Sequence, residues 1–276
     1  MKICILGSGG FLGGYFKEKY PDAQTPKLDI ADQTALIAYL DAEKPDIVIN
    51  CAGKTGRPNV DWCEDHKPET VRSNVTGALM VMEECLNRHI YLVHIGSGCI
   101  YQGDNGGKGW AETDPPNYFG SFYSRTKAWS DEILSEFPVL NIRLRMPFDG
   151  TASPRNLIMK LAKYGRVLDE PNSLTNMPDL LNAVAQLMEK RLTGTFNIVN
   201  PGVISPFEVM EMYKEIVDPA HVFERLTVDH LGEVAKTGRS NCILSGEKLR
   251  KAGIEMPDVR EAVKNALVEL RGIDEK

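Results

Sequence analysis

A β-forming run that passes directly into a glycine-rich turn and then a helix constrains this chain more than any other feature. Ile3-Cys4-Ile5-Leu6 is followed without a spacer by Gly7-Ser8-Gly9-Gly10-Phe11-Leu12-Gly13. Glycines at such a junction allow a tight turn and close approach of backbone N–H groups to a ligand, and the helix N-terminus adds its positive dipole end. Gly7, Gly10 and Gly13 form a G-x-x-G-x-x-G frame, with Gly9 additional. Alone the frame is weak; placed between a strand and a helix it points to a dinucleotide pyrophosphate.

The remaining pattern agrees with an α/β fold, a doubly wound parallel sheet of the Rossmann kind. Lys2–Leu6, Asp46–Asn50, Tyr91–Ile95 and Leu140–Arg145 read as strands. Between them, Gly10–Lys19, Gln33–Glu43 (with Asp32 as N-cap), Pro68–Arg88 and Ser121–Glu136 read as helices. Past Pro147 the alternation weakens. Asn156–Tyr164, Met177–Arg191, Phe207–Ile216, Glu247–Ala252 and Val259–Leu270 read as helices, and Thr195–Val199 as a strand returning to the sheet. The expected division is a dinucleotide-binding domain over residues 1–147 plus 177–200 and a smaller, mostly helical lobe over 148–176 plus 201–276.

Composition narrows the partners. The net charge is −6, with no basic run and no basic patch interleaved with aromatics, which argues against nucleic acid. No apolar stretch reaches the length of a membrane span, and the first residues read as a strand rather than a signal peptide. The six cysteines lack C-x-x-C spacing, and the five histidines show no i,i+4 pairing, so neither disulfides nor a metal are expected. Cys4, Cys51 and Cys85 lie on apolar stripes and read as small core residues. A cytoplasmic location is the expectation.

The chemistry lies in the middle of the chain. Tyr123 and Lys127 stand four apart in a predicted helix and share a face. A tyrosine beside an ammonium can protonate a ketone near neutral pH. Ser97 and Cys99 alternate along what reads as a strand end, so both can face one pocket. Asn50-Cys51-Ala52-Gly53 ends a strand in small residues, as needed where backbone passes a cofactor. The second strand is poorly marked and no acid clearly ends it, so the residues do not choose NADP over NAD. Asp29, in Leu28-Asp29-Ile30, is placed near the adenine, a solvated loop aspartate being the alternative. Asn74 either bonds backbone, steadying the catalytic strand, or is an exposed helix residue.

These features resemble the extended short-chain dehydrogenase/reductase superfamily over essentially the whole chain. Leu28-Asp29-Ile30, Asn50-Cys51-Ala52-Gly53, Val60-Asp61 with Glu64, Ser97 and Tyr123/Lys127 are similar to the dTDP-4-dehydrorhamnose reductases. Four runs are more particular: Thr55-Gly56-Arg57-Pro58-Asn59-Val60-Asp61-Trp62-Cys63-Glu64, Gly98-Cys99-Ile100, Gly120-Ser121-Phe122-Tyr123-Ser124, and Arg145-Met146-Pro147 with Pro154-Arg155-Asn156. Together they resemble the bifunctional 3,5-epimerase/4-reductases that make nucleotide-rhamnose.

The resemblance implies a reductase triad of Ser97, Tyr123 and Lys127, and an epimerase acid/base pair of Cys99 and Lys160 whose individual roles stay open. It implies NADPH, or NADH, held by Gly7, Ser8, Gly9, Gly10, Phe11, Leu12, Gly13, Asp29, Ile30, Cys51, Ala52, Gly53 and Asn74, with Tyr123 and Lys127. A nucleotide-sugar would meet Thr55, Arg57, Asn59, Ser97, Cys99, Arg155, Asn156, Arg239 and Asn241, the last four in the second lobe. Similar enzymes are commonly homodimers. The alternatives are a reductase without epimerase activity, and a GDP-fucose-synthase-like enzyme, which pairs the same cysteine position with a histidine. Further off stand a redox-neutral epimerase or dehydratase and a non-catalytic protein on the same scaffold.

Overall fold

Four-residue runs rich in Ile, Val and Leu become strands buried on both faces, the condition for a parallel sheet. In the computed structural model, which describes residues 1–57 and 59–274, β1 (Ile3–Leu6) passes through the glycine turn into α1 (Phe11–Lys19), with Gly10 as N-cap. Helix α2 (Gln33–Glu43) starts where Asp32 accepts a hydrogen bond from the Ala35 N–H at 3.1 Å. After β2 (Ile47–Asn50) come α3 (Trp62–Asp65), α4 (Lys67–Val71), a π-helical turn (Arg72–Thr76), α5 (Gly77–Asn87) and β3 (Tyr91–Ile95). Helix α6 (Phe122–Ser135) and β4 (Leu140–Arg143) complete this run. The remaining elements are β5 (Pro147–Phe148), α7 (Leu157–Leu161), β6 (Arg166–Leu168), β7 (Thr175–Asn176), α8 (Met177–Glu189), β8 (Gly194–Asn197), α9 (Pro206–Ile216) and β9 (Glu224–Leu226). A 3-10 turn (Val228–Glu233), α10 (Glu247–Lys251) and α11 (Val259–Asp274) follow.

Two compact units divide the chain. The first comprises Met1–Ile100, Pro115–Arg143 and Ala185–Phe196. Its sheet has the order β1-β2-β3-β4-β8, parallel from β1 to β4, with Ile3 opposite Ile47, Ile47 opposite Tyr91 and Val93 opposite Leu140. β8 is the expected returning strand. Cys4, Leu6, Leu36, Leu40, Val48, Val81, Cys85 and Leu92 form a core on one side, while Cys51 is only partly buried. The poorly marked second strand shrinks to one parallel bridge between Cys4 and Gln24, made by Gln24 N–H to Ile3 O and Ile5 N–H to Gln24 O, both 2.8 Å. Pro26 has no N–H with which to extend the ladder. The single helix expected over Pro68–Arg88 is three segments, broken by the π turn. The strand expected over Leu140–Arg145 stops at Arg143.

The second unit comprises Tyr101–Asp114, Leu144–Val184 and the chain from Asn197 on. Phe148, Ile158, Leu174, Ile204, Val209, Val263 and Leu267 are among its buried core. It is not simply helical: β5 pairs with β7 and β6 with β9, both in parallel. Arg145, 1% exposed, braces this unit by donating to Asn172 Oδ1, to Ser240 Oγ at 3.1 Å and to Ser240 O at 2.9 Å. Among the described residues, no helix is long and apolar enough to cross a membrane.

Candidate active site

Tyr123 and Lys127 owe their position to how α6 begins. Ser121 is its N-cap, accepting the Ser124 N–H at 3.1 Å, and the Glu64 carboxylate accepts the Phe122 N–H at 2.6 Å. Two of the orphan donors of the first turn are thereby satisfied. Tyr123 is half-buried and Lys127 is 5% exposed on the same face one turn later. Lys127 Nζ donates to Ile95 O, at the end of β3, at 3.3 Å. Burial pushes this lysine down to about 8, against the opposing influence of Asp131 and Cys99. Asp131, one further turn along α6, is itself buried and bonded to Arg143 Nη2 at 2.5 Å and Asn141 Nδ2 at 2.7 Å.

Ser97 and Cys99 follow β3 but do not alternate on it, because the strand ends at Ile95. Gly96 lets the chain turn against β4: a Cβ there would lie 2.8 Å from Asn141 Oδ1 and 2.9 Å from Ile142 O. Past it, Ser97 Oγ accepts the Cys99 N–H at 3.1 Å, so a short turn rather than strand pleating ties the two residues together. Cys99 is a half-buried thiol outside any disulfide. His94, 1% exposed, sits one residue before Ile95 with Nδ1 at 3.3 Å from Asn50 Nδ2. Burial, then the Lys127 charge, holds His94 well below the usual histidine range and therefore neutral.

The glycine turn has the shape a pyrophosphate requires. Gly7 has φ +74°, and a Cβ on it would lie 2.6 Å from Ala52 N; on Gly13 it would lie 2.2 Å from Gly7 O. Gly9 is exposed, with open space beside it. Gly7 is therefore set by close backbone packing against Cys51-Ala52 and Gly13 by packing against Gly7 itself, and the loop between them faces outward at the start of α1, a cradle that fits a dinucleotide phosphate. Asn74 lies in the π turn and accepts the Lys54 N–H at 2.7 Å while donating to Lys54 O at 3.0 Å and Thr126 Oγ1 at 3.1 Å. It therefore steadies the segment after β2 and ties it to α6, rather than steadying β3. Ile30 is a core residue, and a Cβ on Gly77 would touch it at 2.6 Å. Asp29 is exposed; its bond from the Ala31 N–H and its pair with Arg72 at 3.2 Å keep its carboxyl below the usual range.

The proposed sugar contacts divide between the units. In the first, Thr55 and Arg57 are exposed, Asn59 Oδ1 accepts the Asp61 N–H at 2.9 Å, and Pro58 lies outside the described residues. In the second, Lys160 is half-buried on α7, and burial followed by the Arg155 charge lowers it from the ordinary lysine range. Asn156 was expected at the substrate. It is instead fully buried as the N-cap of α7, its amide donating to Asp149 O and Thr151 O, both at 2.8 Å. Asn241 is 7% exposed and accepts Asn172 Nδ2 at 3.1 Å; Arg239, half-buried, donates to Thr237 O at 2.8 Å. Spacing alone gave no sign of Glu64, whose partner is 58 residues away, or of His94. Asp131 did carry one, its i,i+4 distance from Lys127.

With a parallel sheet, a glycine turn at the end of its first strand, and a buried lysine one turn below a tyrosine, the molecule is an extended short-chain dehydrogenase/reductase. More particularly, residues 1–271 match the family described as the RmlD substrate binding domain, and the chain belongs to that family. It is 38% identical over 273 residues to the bifunctional dTDP-4-dehydrorhamnose 3,5-epimerase/dTDP-4-dehydrorhamnose reductase of Arabidopsis thaliana, covering 95% of this chain and 90% of the relative. It is 39% identical over 274 residues to a trifunctional UDP-glucose 4,6-dehydratase/UDP-4-keto-6-deoxy-D-glucose 3,5-epimerase/UDP-4-keto-L-rhamnose-reductase of the same plant. That match covers 95% of this chain but 41% of the relative, so the chain spans less than half of that protein's length. The crystal structure of the UDP-rhamnose synthase from Acanthamoeba polyphaga mimivirus superposes with a TM-score of 0.92 at 30% identity, covering 98% of this chain and 99% of that one. A dTDP-4-dehydrorhamnose reductase from Bacillus anthracis, solved in complex with NADP, shares the fold at a TM-score of 0.83 and 22% identity, covering 98% and 100%.

Proposed function

We propose that this protein is a sugar-nucleotide oxidoreductase with a second activity: an NAD(P)H-dependent 3,5-epimerase/4-reductase, using NADPH, that converts a nucleotide-linked 4-keto-6-deoxyglucose to the nucleotide-linked L-rhamnose. The observation that carries the epimerase half is Cys99, a partly exposed thiol whose N–H is bonded to Ser97 Oγ at 3.1 Å and which lies within electrostatic reach of Lys127. The reductase half draws support from family membership and from the Ser97, Tyr123 and Lys127 arrangement.

A 4-keto sugar has acidic C–H bonds at C3 and C5, because each carbanion delocalises onto the C4 oxygen. Ser97 and Tyr123 donate hydrogen bonds to that oxygen as charge develops, a contribution typically of several kcal/mol. Inversion then needs proton removal on one face and return on the other, for which Cys99 and Lys160 are the pair. The lowered basicity of Lys160 suits proton exchange nearer neutral pH. When bound, the reduced nicotinamide supplies hydride to C4. Tyr123 gives its proton to the same oxygen, and the Lys127 ammonium favours the phenolate left behind. Ser97 orients the carbonyl throughout.

Arg57, Arg155 and Arg239 are the proposed diphosphate contacts, by charge-assisted bonds. The reading includes a homodimer and a cytoplasmic location; six cysteines outside any disulfide suit a reducing compartment. Changing Cys99 to alanine tests the epimerase half. The Cys99→Ala variant should reduce a pre-epimerised ketose within about threefold of the parent yet lose solvent exchange at C3 or C5. Unchanged exchange in that variant would take Cys99 out of the epimerisation, and a parent without exchange would leave only a reductase.

A further inference from the structure

We infer that Glu64 is a positioning residue for Tyr123, joining the loop that precedes α3 to the start of the catalytic helix. The loop is built to end at Glu64. Gly56 has φ +74°, and a Cβ there would lie 2.5 Å from Trp62 Cβ and 2.7 Å from Asn59 O, so the chain folds back tightly onto α3. Asn59 Oδ1 accepts the Asp61 N–H at 2.9 Å, and successive turn bonds carry Trp62, Cys63 and Glu64 N–H to Asn59, Val60 and Asp61 carbonyls. The His66 ring stacks on Trp62 with centroids 3.8 Å apart, and its Nδ1 lies 2.9 Å from Trp62 O, fixing the far end of α3.

From this hydrogen-bonded turn, Glu64 reaches across 58 residues of sequence to the Phe122 N–H, adjacent to Tyr123. A carboxylate accepting a backbone N–H makes a charge-assisted bond, and its place at the helix N-terminus complements the dipole. Lys67, from α4, grips the same residue with Nζ 5.5 Å from the Phe122 ring centroid. The Phe122 backbone is thus held from one side by Glu64 while its ring is held by Lys67. Tyr123 inherits that register. Thr55, Arg57 and Asn59 belong to this loop, so the inference rests on the functional reading above where it makes the loop a sugar contact: an occupied loop then sets the tyrosine.

Three substitutions test it. Glu64→Ala removes the acceptor and should lower kcat for reduction by about 100-fold, the scale of a small misplacement at a reacting centre, while the Kd for NADPH moves less than about twofold. Glu64→Gln keeps an oxygen at the same reach and should recover most of that rate. Glu64→Asp keeps the charge but falls one methylene short and should resemble the alanine variant, so the Gln–Asp contrast stands even where alanine does not fold. Amide exchange at Phe122 and Tyr123, followed by NMR, reads the same register without turnover: about tenfold faster in Glu64→Asp, near the parent in Glu64→Gln. Parent-like kcat in Glu64→Asp, or unchanged exchange, would overturn the inference, as would equal losses in the Gln and Asp variants. A parent protein inert toward every keto sugar would sink the functional reading, and the exchange measurement would still decide the positioning.

Discussion

Keeping an ammonium at 5% exposure opposes folding, and Lys127 does so at the centre of the site. Its basicity falls from 10.5 in the free side chain to about 8 in the folded protein. The unfolded chain therefore binds the additional proton between those values, and the penalty of roughly 3 kcal/mol is full below pH 8 and fades as pH rises toward 10.5. Lys127→Met should raise the melting temperature at pH 7, with the advantage narrowing by pH 10, while abolishing reduction. A variant less stable than the parent at pH 7 would show that Lys127 is held by bonds stronger than its burial cost. The spacing of Tyr123 and Lys127 made this pair legible in the sequence, since helical geometry alone puts them on one face. Asn156 was legible only as part of a motif: its role as a buried cap depends on carbonyls at Asp149 and Thr151 that the fold must first bring round.

At the scale of elements, boundaries were readable where the signal is local. Helix α2 begins and ends where its Asp32 cap and apolar spacing place it. The π turn was not readable, because it is tied to a tertiary partner, the Lys54 backbone, that Asn74 binds in both directions. The missing second strand follows from a single Pro26, whose effect depends on which neighbour the ladder would have had. Helix α6 shows how much one element can carry. Its inward face holds Tyr123, Lys127 and Asp131, while Trp129 and Ile133, four apart, are 41% and 40% exposed. This outer stripe is where the proposed homodimer is tested. Light scattering should give twice the mass of one chain for the parent, and one mass for Trp129→Glu. A dimer in both would place the contact elsewhere, and a monomeric parent would remove it.

For the whole molecule, two cores of separate composition carry the two sets of proposed site residues. The sheet unit carries the glycine turn, Ser97, Cys99, Tyr123 and Lys127; the second unit carries Lys160, Arg155 and Arg239. The alternation of strands and helices made the first unit legible nearly throughout. Past Pro147, β5, β6, β7 and β9 are only two or three residues long, too few for a period-2 pattern to show. The central proposal is that one ketone, polarised by Ser97 and Tyr123, undergoes hydrogen exchange on both neighbouring carbons and is then reduced. Incubation of the parent protein with UDP-4-keto-6-deoxyglucose and NADPH in deuterated water tests this most directly. The product should be a nucleotide-linked L-rhamnose with deuterium at both C3 and C5 and one cofactor oxidised per sugar. A reduced sugar free of deuterium at those carbons, or exchange with no cofactor oxidised, would contradict it.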